Sequence, residues 1–222
     1  MNMGVIDVLR GALESVLDSI IPPRARAMRT KARLLEDIPL YPTAHEMLGE
    51  KIVTIMDYRN SAVQDLIRSL KYDGSGAAAV LAAAALSDYL REEVADEKSF
   101  SPREILLVPI PLHRSRARER GFNQIEIVLK ALPQEFKDGT LSTLAPRALE
   151  RMRETKSQTH LSRAERLNNV ADAFAAADEQ KIYGAHIFLI DDVTTTGATL
   201  VSAGKTLERS GAKVSLLALA RA

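Results

Sequence analysis

The chain has 222 residues, 46% apolar and 27% charged, with a formal net charge of +1, enough for one good-sized domain with a full core and no general affinity for polyanions. It contains no cysteine and only four histidines, spread along its length. That excludes disulfides, cysteine-ligated zinc and thiol nucleophiles, leaves no metal-ligand spacing, and makes a reducing cytoplasm the expected compartment.

Val5, Ile6, Val8, Leu9, Ala12, Leu13, Val16, Leu17 and Ile20 recur at helical spacing up to Pro22 and Pro23, which predicts an amphipathic helix. Asp7, Arg10, Glu14 and Asp18 interrupt it, so it is neither a signal peptide nor a membrane span. Its apolar stripe must be covered, by the domain or, failing that, by a second copy of the chain in a homodimer. Residues 24–36 read as a second, basic helix ending before Pro39. These two helices make an N-terminal segment, residues 1–40, ahead of a domain at residues 41–222.

Residues 52–56 predict a strand, and Ser61 with Gln64 reads as a capping box before the helix face Val63, Leu66, Ile67 and Leu70. A turn at residues 73–76 precedes an alanine-rich helix at residues 77–90. Residues 105–108 are wholly apolar, the pattern of a strand buried on both faces. An arginine-rich loop follows, then a helix at residues 123–132 and a strand somewhere within residues 141–149. Residues 151–166 are polar and basic with little period. A second buried strand is expected at residues 186–190, a helix at residues 199–210 closed by Gly211, and a last strand at residues 214–219. Strands alternating with helices predict an α/β fold: a parallel, doubly wound sheet with helices on both faces.

The segment richest in chemistry runs Ile187-Phe188-Leu189-Ile190-Asp191-Asp192-Val193-Thr194-Thr195-Thr196-Gly197-Ala198-Thr199. Open parallel sheets place ligands at the carboxyl ends of their strands, where the two acids sit. The hydroxyl-rich turn opens a helix whose first amides and dipole favour an anion. Carboxylates repel a phosphate but accept hydrogen bonds from vicinal hydroxyls. One element thus offers a hydroxyl site beside a phosphate site, as ribose 5-phosphate requires. The competing reading, an acidic turn with Thr196 as a plain helix cap, explains less of the ordered string. Neither GxxxxGK[ST] nor GxGxxG occurs.

This string resembles the ribose-phosphate signature of type I phosphoribosyltransferases. The resemblance implies that Asp191 and Asp192 hold the ribose hydroxyls and that Thr195, Thr196, Gly197, Ala198 and Thr199 hold the 5-phosphate. Some purine-salvage members carry an acid at the position of Thr195. Further segments are similar to the ComF family of competence proteins. They are Leu70-Lys71-Tyr72; Val108-Pro109-Ile110-Pro111-Leu112-His113 followed by Arg120-Gly121-Phe122-Asn123-Gln124; and Arg151, Arg153, Thr155, Gln158, Leu161, Arg166, Asn169, Val170 and Phe174 at the family's spacing. Together they cover about residues 50–222. Many ComF proteins begin with a four-cysteine zinc module, whereas this chain has no cysteine and two expected helices there.

The resemblance places Pro111, Arg114, Arg120, Gly121, Asn123 and Gln124 at the pyrophosphate. It makes Arg151, Arg153, Gln158, Arg166 and Asn169 a loop closing over the site. The competing readings are a solvated charged loop and a surface helix with i,i+4 pairs. The expected protein is a glycosyltransferase of the phosphoribosyl class. It would bind phosphoribosyl pyrophosphate with Mg²⁺ carried by the ligand and transfer the phosphoribosyl group to an acceptor. The alternative is a non-catalytic DNA-uptake factor that binds single-stranded DNA and keeps a regulatory ribose-phosphate site. Aromatic residues are 5% with no tryptophan, which disfavours a base-stacking platform.

Overall fold

The structure is a computed structural model and describes residues 23–152 and 173–222. In chain order its elements are α1 (Pro23–Ala32), β1 (Thr43–Met47), β2 (Glu50–Asp57), α2 (Ser61–Asp73), α3 (Gly76–Phe100), β3 (Ile105–Pro109), α4 (Arg114–Arg120), α5 (Gln124–Ala131), β4 (Thr143–Leu144), β5 (Leu149–Arg151), β6 (Phe174–Ala176), α6 (Glu179–Ile182), β7 (His186–Thr194), α7 (Ala198–Arg209) and β8 (Lys213–Arg221). The main sheet has the order β1-β2-β8-β7-β3-β4, and β5 with β6 forms a separate two-stranded sheet. The fold is therefore α/β, a mostly parallel sheet flanked by helices, as expected. The edge strand β1 departs from the all-parallel expectation: it pairs antiparallel with β2 through the tight turn at Leu48 and Gly49.

Strand alternation sorts the core into two layers. Ile105 and Leu107 of β3, Phe188 and Ile190 of β7, and Leu217 and Leu219 of β8 pack with α2, α3 and α5. Leu106, Val108, Ile187, Leu189, Leu216 and Ala218 point the other way, towards α7 and the β5–β6 ribbon. The wholly apolar run in β3 follows from this, since all five of its residues are buried.

Several boundaries differ from the expected ones for identifiable reasons. The helix expected at residues 24–36 ends at Ala32, and a single 3₁₀ turn, Leu35–Asp37, follows it. The cap of α2 is Asn60, whose side chain accepts from the amides of Ala62 and Val63 at 2.8 and 3.4 Å; Ser61 is the first helical residue, so the Ser61–Gln64 box does not form. The alanine helix runs ten residues past Leu90 to Phe100, with Val94 still in the core. The arginine-rich stretch expected as a loop is helix α4, capped at its start by His113 and at its end by Gly121 at φ 77°. It buries no residue, so it carried no apolar period to read. The single strand expected within residues 141–149 is two short ones, β4 and β5, in different sheets. Strand β7 continues past Ile190 through both acids to Thr194, because β8 pairs with it in register as far as Thr194 with Arg221.

Within the N-terminal segment, α1 packs on α2. Arg26 reaches Asp73 through a bidentate ion pair at 3.1 Å, Arg29 and Arg33 converge on Asp65 at 2.9 and 3.0 Å, and Thr30 meets Ser69 at 3.1 Å. The helix expected at residues 5–20 lies outside the described residues. No helix among the described residues is long and apolar enough to cross a membrane.

Candidate functional site

Strands β3 and β7 are neighbours, joined through Ile190, whose carbonyl accepts from the amide of Ile110 at 2.8 Å. Beyond β3 the chain turns to α5 on one face, and beyond β7 it turns to α7 on the other. Connections that leave in opposite directions open a crevice between the two carboxyl ends, and ligands of open α/β sheets bind in such crevices. A pocket of 200 Å³ opens there, lined by Lys71, Leu112, Arg116, Arg120, Gln124, Arg151, Asp191, Asp192 and Thr199 among others. A second hollow of 50 Å³, enclosed by residues 193–199, continues from it and shares Asp191, Val193 and Thr199. Larger depressions of 650 Å³ beside Tyr183 and 540 Å³ beside His45 lie away from the acids, and the first is lined by a few surface side chains only. The convergence of charge, not size, marks the crevice as the candidate site.

The two acids have different surroundings. Asp192 is 5% exposed. Its Oδ2 accepts from Gln124 Nε2 at 2.7 Å and pairs with Lys71 Nζ at 3.3 Å, and its Oδ1 accepts from the amide of Val193 at 2.6 Å. Asp191 is half-buried and accepts from the amide of Asp192 at 2.8 Å. Burial and the neighbouring Asp192 charge push its carboxyl up to about 7, against the pull of Lys71 and Arg151. For Lys71, burial favours the neutral amine, but Asp192, Tyr58 and Asp191 outweigh it and hold the ammonium above its ordinary range.

The phosphate-loop candidates surround the smaller hollow, as a cradle requires. Thr195 is exposed and Gly197 and Ala198 are buried. Gly197 is the N-terminal cap residue of α7, at φ 78°, with no side-chain cap bond. Thr196 is not the cap residue; its Oγ1 reaches the amide of Ala198 only at 3.5 Å. The first amides of α7 lack intrahelical acceptors by helix geometry and stand at this hollow. A Cβ on Gly197 would come within 2.7 Å of Ile52 and 2.9 Å of Met47, so the loop is pressed onto the β1–β2 hairpin.

Of the residues placed at the pyrophosphate by resemblance, Arg120 and Gln124 line the pocket, joined by a 3.2 Å hydrogen bond from Arg120 Nη1 to Gln124 Oε1. Pro111, Arg114, Gly121 and Asn123 are not among its lining residues. Arg114 is solvent-exposed, Gly121 closes α4, and Asn123 ties the loop down by donating to the Ile110 carbonyl at 2.9 Å while capping α5. Of the closing-loop candidates, Arg151 lines the pocket and stacks over Phe174 at 5.4 Å. Arg153, Gln158, Arg166 and Asn169 lie outside the described residues.

Sequence reasoning did not assign Lys71, Leu112 or Arg116 to the site. Lys71 stood in a motif, but its pairing with Asp192 spans more than a hundred residues, which no spacing rule reaches. Among the described residues no cluster of His, Cys, Asp or Glu could cage a metal.

Sheet order, switch point and acid–threonine loop together define an α/β protein of the phosphoribosyltransferase-like fold. Comparison with known proteins narrows this. The chain is 31% identical over 201 residues to the DNA utilization protein YhgH of Escherichia coli, covering 85% of this chain and 83% of the relative. It is 32% identical over 154 residues to the competence protein ComFC of Streptococcus pneumoniae, covering 69% and 60%, and 30% identical over 118 residues to competence protein F of Haemophilus influenzae, covering 52% and 50%. No family model matches it. The chain belongs to the ComF family.

Proposed function

We propose that this protein binds phosphoribosyl pyrophosphate with Mg²⁺ and transfers its phosphoribosyl group to an acceptor. The observation that carries the reading is the run from Asp191 to Thr199, which lines two connected hollows at the switch point, with Lys71, Arg116, Arg120 and Arg151 on the wall of the larger. Carboxylate suits hydroxyls, the α7 N-terminus suits the 5-phosphate, and guanidinium groups suit the pyrophosphate. In transfer the C1–oxygen bond breaks, pyrophosphate leaves with the electron pair, and the acceptor bonds to C1 through an oxocarbenium-like state. Mg²⁺, when carried in by the ligand, would supply charge neutralisation at the pyrophosphate. The chain's own part is to fix the sugar, hold the phosphate and aim positive charge at the departing group.

Thermal unfolding with and without ligand tests this. Phosphoribosyl pyrophosphate at a hundred times its dissociation constant adds about 2.7 kcal/mol, and more apparent stabilisation is expected when Mg²⁺ is present. No shift at millimolar ligand and Mg²⁺ sinks the reading.

A second reading is a DNA-uptake factor without catalysis, whose ribose-phosphate site is regulatory. The exposed Arg114, Arg116 and Arg118 on α4 favour it, as do the names of the relatives, DNA utilization and competence proteins. Pyrophosphate release with any acceptor supports transfer; salt-dependent strand binding without release supports the second reading.

A further inference from the structure

We propose that the acid pair divides its work: Asp192 is a positioning residue held by Lys71 and Gln124, and Asp191 alone takes the vicinal hydroxyls of the ligand. This rests on reading the crevice as a ribose-phosphate site. It departs from the assignment of both acids to the sugar.

The geometry is unequal. Asp192 has only 7% of its side chain exposed, and both its oxygens are engaged by the protein, Oδ2 by two donors and Oδ1 by a backbone amide. These contacts join β7 to α2 through Lys71 and to α5 through Gln124. Gln124 passes the connection on to Arg120. Asp192 thus ties together three elements of the pocket wall. Asp191 faces both hollows, the larger and the phosphate cradle, whereas Asp192 lines only the larger. A sugar with its 5-phosphate in the cradle would meet Asp191 first.

Lys71 supplies the charge that makes this arrangement tolerable. Adjacent carboxylates, here one buried and one half-buried, repel each other when both ionise, and a nearby cation offsets that repulsion. The charged groups facing Asp191 are Asp192 on its own strand, Lys71 from α2, Arg151 from β5, and Arg116 and Arg120 across the pocket from α4; Tyr58 lies beside Lys71. Lys71 is the one of these that pairs directly with Asp192 at 3.3 Å. A hydroxyl donating to Asp191 favours its ionised form, so ligand entry expels a proton from Asp191 wherever that group is protonated. Affinity therefore rises with pH until Asp191 is fully ionised in the free protein.

The test uses ribose 5-phosphate as probe, by titration calorimetry in buffers of different ionisation enthalpy between about pH 5 and pH 9. Wild type should release a proton on binding and gain affinity as pH rises through about 7. Asp191→Asn should weaken binding roughly tenfold or more and lose the part of the pH step and proton release that lies near pH 7, leaving only what the ligand's own phosphate contributes near about pH 6. Asp192→Asn should keep the step and move it to lower pH, because a neighbouring negative charge is gone. Lys71→Met should move the step to higher pH, and Lys71→Arg should bring it back towards wild type. Carbon-13 titration of the Asp191 carboxyl in ligand-free protein reads the same two displacements without any ligand. An Asp191 titration unmoved in folded Lys71→Met overturns the positioning role of Lys71. Loss of the pH step in folded Asp192→Asn overturns the division of labour. Ribose 5-phosphate that binds neither wild type nor any variant overturns the ribose-phosphate reading, and the diol role with it, while the carboxyl titration still decides the electrostatic part.

Discussion

At the scale of the residue, Gly197 shows how tightly the loop proposed to cradle the phosphate is specified. Its φ of 78° disfavours any side chain, and a Cβ there would also meet Ile52 at 2.7 Å and Met47 at 2.9 Å. The two penalties are independent. The left-handed backbone costs roughly 1–2 kcal/mol and overpacking roughly 1–3 kcal/mol more. Gly197→Ala should lower the free energy of urea unfolding by about 2–5 kcal/mol. It should also weaken ribose 5-phosphate binding, since relief comes from shifting residues 195–199. A variant as stable as wild type would show that the loop is not pinned between α7 and the β1–β2 hairpin. The glycine itself was legible in the sequence, because a Thr-Gly turn opening a helix is local. The reason it must be glycine was only half legible. Close approach to an anion is readable from the motif, whereas pressure from Ile52 depends on β2 arriving from far along the chain. The same distinction separates Gln124 and Asn123. Both lay in one motif, yet the fold turns Gln124 inward to Asp192 and spends Asn123 on a cap.

At the scale of the element, α1 is joined to the site through the end of α2. Arg26 has 4% of its side chain exposed, pairs with Asp73 and lies 5.5 Å over the ring of Tyr72, next to Lys71. Arg120 lies 5.8 Å from the same ring. The turn carrying Lys71 is thus held from the α1 side and from the α4 side. About two turns earlier in α2, Asp65 anchors Arg29 and Arg33. Burial alone would push the Asp65 carboxyl up, but the two guanidinium groups outweigh it and hold it below its ordinary value. Because the folded value is depressed, the stabilisation is present above the unfolded value of about 4 and is lost as pH falls through the lower folded one. Asp65→Asn should therefore destabilise by about 1–3 kcal/mol near neutrality, with the gap to wild type closing below about pH 4 in urea unfolding. An equal gap at both pH values would mean that packing, and not charge, holds α1. Elements with a long apolar signal were readable in advance: β3, β7, α2 and α7. Those without one were not. Helix α4 buries nothing, β1 has a mostly exposed face, and β5 and β6 are three residues each, made strands only by pairing Leu149 with Ala176 across the chain.

At the scale of the whole molecule, a net charge of +1 hides an uneven surface. Arg114, Arg116 and Arg118 are exposed on α4, which borders the crevice, and Arg116 also lines it. A short helix with four guanidinium groups, three of them exposed, and no buried residue is suited to meeting phosphates, and it is a poor packing element. The absence of tryptophan argues for backbone contacts over base stacking. Weak binding to single-stranded DNA is therefore expected, indifferent to base sequence and falling steeply with salt, with a logarithmic slope of roughly −0.7 per phosphate neutralised. Replacing Arg114, Arg116 and Arg118 by alanine should flatten that slope by about two units if all three touch the strand. Phosphoribosyl pyrophosphate should compete if the strand enters the crevice, since both need Arg116. If the two bind together without interference, the strand runs over the outer face of α4 alone. Fluorescence anisotropy at low salt separates these outcomes. An oligonucleotide that binds neither at low salt nor in the presence of Mg²⁺ removes the strand from the account of this crevice and leaves the small ligand as its occupant.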